Sequence, residues 1–157
     1  MGMRIIGPEG RAAEADGASA LLHGSCVCIE APPAAVLMIG PSGAGKSALA
    51  LQLTAIGCAL VADDGVCIRR RGGALIATAP ETIRGRIEAR GVGILCVPFV
   101  QQAPLRLVID MGQAETGRLP QARRCRILGV ELPLLHKVGS AHFPAAIRHY
   151  LKGGRTD

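Results

Sequence analysis

The chain has 157 residues, of which 18 are Lys or Arg and 12 are Asp or Glu, so its formal net charge is +6 at pH 7. This length suits a single domain with its own core, and the positive charge favours acidic or phosphorylated partners. Two Phe, one Tyr and no Trp leave few rings for stacking on nucleic-acid bases, and no apolar stretch approaches the roughly 20 residues that cross a membrane as a helix.

The first third of the chain predicts a tail followed by two strands. Residues 1–20 are rich in Gly, Ala and charge and have no periodicity, which predicts a flexible N-terminal tail before a domain at residues 21–157. The apolar residues 21–29 predict a strand, and the prolines that follow predict a turn because Pro cannot serve a central ladder. Ala35–Ile39 predicts the next strand.

The remaining elements follow from apolar periodicity and from Gly and Pro punctuation. They are a helix at 48–56, a strand at 58–62, a hairpin at 66–68 and 74–77, a helical segment at 80–90 broken by a glycine, strands at 94–97, 105–110 and 127–135, a polar loop or short helix at 112–126, and a closing helix at 141–151. Strands and helices in this alternation predict an α/β fold.

The six cysteines predict reduced thiols in a cytoplasmic protein. No two of them have C-x-x-C spacing, and the N-terminus has no continuous apolar segment of a secretory signal because Pro8, Glu9 and Glu14 interrupt it. Such cysteines pack as small apolar side chains. A metal site at Cys26 and Cys28 is disfavoured because no second pair has a zinc-like spacing.

Residues 40–47 match the phosphate-loop (Walker A) pattern of nucleotide-binding proteins. They are Gly40, Pro41, Ser42, Gly43, Ala44, Gly45, Lys46 and Ser47. Between a strand and a helix, the backbone N–H groups of such a loop form an anion cradle. Lys46 is predicted to contact the β- and γ-phosphates, and Ser47 to ligate Mg²⁺. The strand and helix on either side argue against the alternative, a glycine-rich turn in an ordinary α/β unit.

Asp63 and Asp64 follow the predicted strand at 58–62, where open α/β sheets bind ligands. One carboxylate could serve a metal ion while the other accepts a proton from an attacking hydroxyl. The alternative is a structural turn, since Asp bonds readily to its own backbone. The neighbouring phosphate loop favours the functional interpretation.

Glu88 and Arg90 are a second candidate pair, followed by a flexible Gly-x-Gly. A Glu can ligate Mg²⁺ and an Arg can neutralise a transferred phosphoryl group. On chemistry alone, a solvated surface pair is the commoner outcome for two such residues.

Four motifs together resemble the HPr kinase/phosphorylase family over about residues 20 to 135. They are His23-Gly24, the loop at 40–47, Val61–Asp64 and Ile87–Ile94, and the last is the most family-specific. The chain resembles the C-terminal catalytic domain alone, as in short alphaproteobacterial forms. This implies a P-loop NTPase-type α/β domain with a central mixed sheet, related to phosphoenolpyruvate carboxykinase.

The resemblance implies a kinase that uses ATP and Mg²⁺ to phosphorylate a serine of the phosphocarrier HPr, in the regulation of carbohydrate metabolism. Family members also catalyse the reverse, phosphorolytic step. By resemblance Lys46 binds phosphates, Ser47 and Glu88 ligate Mg²⁺, and one of Asp63 and Asp64 is the base. His23 would lie beside the phosphates with Arg90 as a further catalytic residue. Long family members are hexamers, so a homo-oligomer is expected.

Two departures from the family pattern affect the expected activity. Ala48 stands where the family usually has an acidic residue, and Ser140 stands where a late Arg is expected. Lys137 could supply that positive charge, although an ammonium cannot reproduce a bidentate guanidinium. We therefore expect kinase activity with weak or absent phosphorolysis.

Four other functions compete with this hypothesis. The basic clusters at 69–71 and 123–126 could suggest nucleic-acid binding, but neither contains aromatic residues. A GTPase would need an Asn-Lys-x-Asp motif, which the sequence lacks. A kinase for free serine or another metabolite shares the phosphate chemistry, and a nucleotide-sensing regulatory module with weak transfer would fit Ala48 and Ser140.

Overall fold

The computed structural model describes residues 2–80 and 84–157. Strands and short loops dominate this part of the chain, with one helix after the phosphate loop and one near the C-terminus. The elements in chain order are β1 Arg4–Ile6, β2 Ser19–Leu22, β3 Ser25–Glu30, β4 Pro33–Ile39, α1 Lys46–Ala55, β5 Ala59–Ala62, β6 Val66–Arg71, β7 Ala74–Thr78, β8 Arg86–Ala89, β9 Gly93–Cys96, β10 Gln102–Ala114, β11 Arg123–Ile127, β12 Val130–Lys137 and α2 Phe143–Gly153.

The main sheet is mixed and has the strand order β1-β11-β12-β10-β4-β3-β5. Strand β10 runs parallel to both β4 and β12, whereas β3 is antiparallel to β4 and to β5. Since β4 and β5 are both antiparallel to β3, they point the same way, and their carboxyl ends lie at one edge. The expected α/β fold with a central mixed sheet is confirmed.

Strand β10 joins the main sheet to a second layer formed by β2, β6 and β7. Its first residues pair antiparallel with β7, and its later residues pair with β4. One apolar core lies between these two layers and contains Val108, and the other lies between the main sheet and the helices and contains Leu107 and Ile109. This alternation along β10 is the period of a strand that is buried on both faces.

Each helix packs an apolar face on the main sheet. Leu49 and Leu53 of α1 are buried in the core on that side, as the spacing in the sequence predicts. Ile56, predicted to complete the same apolar face, is instead 42% exposed at the C-cap. Ile147 and Leu151 of α2 are buried in the same core, and α2 also contacts α1. Because α1 continues directly from the phosphate loop and packs on β5, the strand that precedes Asp63, its position fixes the loop relative to that carboxylate.

The prediction of a flexible N-terminal tail at residues 1–20 is wrong, because this segment contains β1 and the beginning of β2. Arg4–Ile6 forms β1, which pairs in parallel with β11 at one end of the main sheet. Ile6 and Ala13 are buried, and Ser19–Leu22 pairs with β6. A three-residue strand has too short a pattern for sequence periodicity to reveal it.

Three other predictions need correction. The single strand at 21–29 is divided between β2 and β3. The prediction of a helical segment at 80–90 is wrong, because residues 86–89 form the strand β8. Residues 81–83 of that segment lie outside the described residues. Ile87 and Ala89 are buried while Arg86 and Glu88 are exposed, which is the period of a strand. The loop or short helix at 112–126 contains the end of β10 and most of β11.

Within residues 2–80 and 84–157, neither helix has the length and hydropathy of a membrane-spanning segment.

The cysteines differ in burial, and this predicts their reactivity. Four are buried, namely Cys26, Cys28, Cys58 and Cys125. Burial raises the pKa of each of these thiols, to about 11 for Cys28 and about 12 for Cys125. Because the thiolate is the reactive form, these four should resist alkylation at pH 8.

We expect iodoacetamide to modify the exposed Cys96 first and the half-buried Cys67 next. The buried four should react only after denaturation, and mass spectrometry of timed digests would show the order. Rapid modification of Cys26 in the native protein would contradict this burial pattern.

Candidate nucleotide-binding and phosphotransfer site

The phosphate loop lies between β4 and α1, as the sequence predicts. Strand β4 ends at Ile39 and α1 begins at Lys46, with Gly45 as its N-cap in the left-handed region at φ 96°. Gly40 has φ 144°, and a Cβ there would lie 3.1 Å from the backbone nitrogen of Gly112. The first loop residue is therefore packed directly on neighbouring backbone, where only glycine fits without displacement.

Lys46 is held against the loop's own backbone. Its ammonium donates hydrogen bonds to the carbonyl oxygens of Gly40 at 2.7 Å and of Pro41 at 2.9 Å. The residue is only 7% exposed, so this positive charge is confined to the cradle. A lysine ammonium has a further N–H beyond these two, which is free to meet a phosphate oxygen.

Asp63 follows β5 and connects two hydroxyl groups. Its Oδ1 accepts a hydrogen bond from Ser25 Oγ at 2.7 Å and another from Ser47 Oγ at 2.8 Å. Asp63 is 8% exposed and Ser25 is 1% exposed. The Ser47 hydroxyl is thereby oriented with its hydrogen toward Asp63, which leaves its oxygen lone pairs available to a metal ion.

Asp64 is the next residue, but it faces solvent. Its side chain is 86% exposed, and its φ of 68° lies in the left-handed region, which Asp tolerates better than most residues. Nδ1 of His23 lies 3.2 Å from the Asp64 carbonyl oxygen and 3.7 Å from its carboxylate Oδ1. The two aspartates thus have separate environments, and only Asp64 presents a free carboxylate.

The residue after His23 must be small because β3 and β4 approach closely there. A Cβ at Gly24 would lie 2.5 Å from the carbonyl oxygen of Met38. The sequence pair His23-Gly24 therefore places the imidazole at the start of β3 while the backbone keeps its contact with β4.

The phosphate loop, His23 and Asp64 border one open cleft of about 450 Å³. On one side are the phosphate loop and the start of α1, and on the other is the hairpin β8–β9. The predicted site residues that line the cleft are His23, Ser42, Gly43, Gly45, Lys46, Ser47, Asp64, Glu88 and Arg90. Glu88 and Arg90 therefore face the phosphate loop across the cleft. Ala48 also lines it, so the methyl group of this departure from the family pattern forms part of the wall.

A second lysine contacts the phosphate loop from the end of β12. Lys137 Nζ donates a hydrogen bond to the carbonyl oxygen of Ala44 at 3.0 Å and lies 3.8 Å from the place where a Cβ of Gly45 would be. Because β12 and β10 are parallel, Lys137 reaches the same edge of the sheet as the loop. Ser140 instead lies ahead of α2, where its carbonyl accepts the Phe143 N–H at 3.1 Å.

The described residues contain no group of three or more His, Cys, Asp or Glu side chains arranged to hold a metal ion. Mg²⁺ in nucleotide sites is commonly held by one or two protein ligands together with phosphate oxygens and water. The oriented Ser47 hydroxyl and the Glu88 carboxylate on the same cleft fit that type of site.

The basic cluster at residues 123–126 is largely paired with acidic groups. Arg123 forms an ion pair with Glu115, and the N–H of Gly117 together with Arg123 holds the pKa of Glu115 below its usual value. Arg124 lies 3.6 Å and Arg126 lies 3.4 Å from the carboxylate of Glu131. These pairings reduce the positive field that a nucleic acid would require.

Sequence reasoning missed two buried polar residues beside the site. Ser25 was assigned only to a strand, and its contact with Asp63 spans 38 positions of the sequence. Asp110 was assigned only to the end of a strand, yet it is 2% exposed and lies beside the loop. No local motif distinguishes either residue, since each acquires its partners through strand pairing.

The family assignment agrees with this geometry. The family model described as the HPr Serine kinase C-terminal domain matches residues 17–133. The chain belongs to this family. The match contains the phosphate loop, both aspartates, Glu88 and Arg90, and it confirms the resemblance noted over about residues 20 to 135.

Two curated relatives with this domain are longer than the present chain. The HPr kinase/phosphorylase of Caldicellulosiruptor bescii is 50% identical over 113 residues, which cover 64% of this chain and 36% of that protein. The HPr kinase/phosphorylase of Chlorobium chlorochromatii is 37% identical over 127 residues, covering 72% of this chain and 38% of that protein. The matched region thus spans little more than a third of these curated relatives.

A solved structure has the same fold. The Hpr(Ser) kinase/phosphatase from Coxiella burnetii superposes with a TM-score of 0.70 at 26% sequence identity. The similarity covers 85% of this chain and 94% of that chain.

Proposed function

We propose that this chain is an ATP-dependent protein-serine kinase whose acceptor is the phosphocarrier HPr. The observation that carries the proposal is that two neighbouring aspartates have different environments, with Asp63 bonded to Ser47 and Asp64 lining the cleft. Asp63 holds the Ser47 hydroxyl, whereas Asp64 is exposed beside the phosphate loop. The names of the relatives from Caldicellulosiruptor bescii and Chlorobium chlorochromatii supply the acceptor.

The phosphate loop binds the triphosphate of ATP. Backbone N–H groups of residues 42–47 and the start of α1 provide the anion cradle. Lys46 and Lys137 are both hydrogen-bonded to loop carbonyl oxygens, so two ammonium groups are close to the bound phosphates. Their charge balances that of the nucleotide and of the transferred group.

Ser47 and Glu88 are the residues that hold Mg²⁺ in this proposal. A Mg²⁺ ion held there would supply charge neutralisation to the phosphates. The Asp63 carboxylate acts through Ser47, because it accepts the hydroxyl hydrogen and keeps the oxygen directed away from itself.

Asp64 is the general base for phosphorylation. The acceptor serine oxygen bonds to the γ-phosphorus, the bond from that phosphorus to the bridging oxygen of ADP breaks, and the serine proton passes to the Asp64 carboxylate. His23 contacts the Asp64 backbone and side chain and so helps to orient the base. Arg90 lines the same cleft and stabilises charge on the transferred group.

The reverse step uses the same groups with opposite proton flow. An oxygen of inorganic phosphate would bond to the phosphorus of phosphoserine, the bond from that phosphorus to the serine oxygen would break, and protonated Asp64 would give its proton to the serine oxygen as pyrophosphate forms. Ser140 lacks the positive charge of the expected late Arg, and Lys137 offers only a point charge. Weak or absent phosphorolysis therefore stays part of the proposal, as do a hexameric assembly and residence in the cytoplasm.

The deciding experiment is incubation of the purified chain with Mg-ATP and the HPr of the same genome. We expect intact-mass and peptide mass spectrometry to find one added phosphate on a serine of HPr. An HPr in which that serine is replaced by Ala is the matched control and should gain none.

Two other outcomes would replace this function. Unmodified HPr with phosphorylated free serine or another metabolite would identify a small-molecule kinase. ATP binding without transfer to any acceptor would identify a nucleotide-sensing module, which the missing carboxylate at Ala48 would explain.

A further inference from the structure

An ion pair between an exposed arginine and a buried carboxylate connects the N-terminal strand to the base of the phosphate loop. Arg4 of β1 donates from Nη1 to Oδ2 of Asp110. The Asp110 side chain is 3% exposed and the Arg4 side chain is 44% exposed. Residue 4 precedes the region matched by the family model, which begins at residue 17.

Asp110 is placed at the loop by strand pairing. It lies opposite Ile39, the last residue of β4, in the parallel pairing of β10 with β4. Arg4 reaches it from β1, the strand at one end of the strand order, which pairs in parallel with β11. The two charged groups therefore meet beside the point where the chain leaves β4 and enters the loop.

The second oxygen of Asp110 holds the backbone that supports the loop. Oδ1 accepts a hydrogen bond from the Gly112 N–H at 2.9 Å. A Cβ at Gly40 would lie 3.1 Å from that same nitrogen, and a Cβ at Gly112 would lie 3.1 Å from Cδ of Pro41. The segment at Gly112 is thus in close contact with the first two loop residues.

Those two loop residues are the ones that hold the lysine of the cradle. The carbonyl oxygens of Gly40 and Pro41 accept the hydrogen bonds of Lys46 Nζ. A displacement at Gly112 would move these carbonyls and with them the ammonium. The contacts form a continuous path from Arg4 through Asp110 and the loop backbone to Lys46.

We infer that Arg4 is a positioning residue for nucleotide binding. It compensates the buried charge of Asp110, which can then hold Gly112 and, through it, the start of the phosphate loop. Without Arg4 an uncompensated carboxylate would remain in a buried site, which is costly and is relieved by local rearrangement or water entry. This inference rests on one part of the proposed function, namely that the phosphate loop binds ATP.

The test measures ATP affinity by isothermal titration calorimetry, with thermal unfolding recorded for every variant. Arg4→Met should weaken ATP binding by about tenfold or more, since small displacements of positioning groups have large effects. Arg4→Lys should recover part of the loss because the charge remains. Arg11→Met is the matched control, since Arg11 is exposed in the same N-terminal segment, and its affinity should equal that of the unmodified protein.

A double variant separates positioning from a general loss of structure. In Arg4→Met with Asp110→Asn, the Asn oxygen still accepts the Gly112 N–H while the buried charge is gone. We expect this protein to bind ATP more tightly than Arg4→Met alone. If Arg4 served only to stabilise β1, both variants would have a lower melting temperature and the folded protein would keep its ATP affinity.

The outcomes distinguish this inference from the proposed function. If the unmodified chain binds ATP and Arg4→Met binds it equally well, the positioning role is overturned and the kinase proposal stands. If the double variant bound ATP as weakly as Arg4→Met, loss of charge compensation would not be the cause of the weaker binding. If the unmodified chain binds no ATP, the kinase proposal and this inference both fail. Should Arg4→Met not fold, Arg4→Lys and the double variant give the same comparison.

Discussion

Asp64→Asn is expected to reduce phosphoryl transfer by about 10²–10⁴-fold, the usual range for loss of a general base. The amide cannot accept the serine proton, and the side chain it replaces is the exposed carboxylate of the cleft. ATP affinity should change little, because the hydrogen bonds found for the Lys46 ammonium go to loop carbonyls. Single-turnover transfer to HPr and ATP titration would measure the two effects separately.

The matched control for Asp64→Asn is Glu30→Gln. Glu30 is an exposed carboxylate at the end of β3, and it pairs with Pro33 at the opposite edge of the sheet from Ser25. Its replacement should leave transfer unchanged. Near-normal turnover in Asp64→Asn would contradict the assignment of the base.

Asp63→Asn is expected to raise the Mg²⁺ concentration required for transfer, with an apparent loss of metal affinity of about 10–100-fold, as for other groups that orient a metal ligand. The Asn oxygen can still accept hydrogen bonds from Ser25 and Ser47, so the fold should persist. The negative charge that favours the metal is lost. Titration of the transfer rate with Mg²⁺ at saturating ATP would measure the shift.

Asp63→Leu provides the structural counterpart. It leaves the buried Ser25 hydroxyl without its acceptor, which should lower the free energy of unfolding by roughly 1–3 kcal/mol. A normal Mg²⁺ requirement in Asp63→Asn, together with a raised one in Asp64→Asn, would show that the roles of the two aspartates are reversed.

Local motifs were sufficient to predict the phosphate loop and its flanks. The pattern at residues 40–47 is contiguous, and the chemistry of glycine, lysine and serine in such a loop depends mainly on backbone that is near in sequence. The apolar face of the following helix was predicted correctly for the same reason, since Leu49 and Leu53 are neighbours on one helical turn.

Elements that depend on distant pairing were the ones missed. Strand β1 has three residues and pairs with β11, more than a hundred residues later. Residues 86–89 have a short apolar pattern beside Gly85, and such a pattern fits a helix or a strand until packing decides. Their partner is β9, and the burial of Ile87 on the helix side of the main sheet selects the strand.

The aspartate pair shows where sequence reasoning ended. Asp63 and Asp64 are the same residue type at consecutive positions, so composition and spacing could not assign them different roles. The left-handed backbone at Asp64 turns its side chain into solvent, while Asp63 remains against Ser25 and Ser47. Those contacts exist because β3 lies between β4 and β5.

The sequence alone determined that this protein has a phosphate loop between a strand and a helix, carboxylates at a strand end, and the Ile87–Ile94 motif of its family. Tertiary structure decided which carboxylate is free and that Glu88 and Arg90 face the loop. It also decided that Lys137 reaches the loop from β12 and that Arg4 of β1 reaches Asp110. The physical reason is that a motif needs only local backbone geometry, whereas burial, hydrogen-bond partners and charge compensation arise from strands that are distant in sequence and adjacent in the sheet.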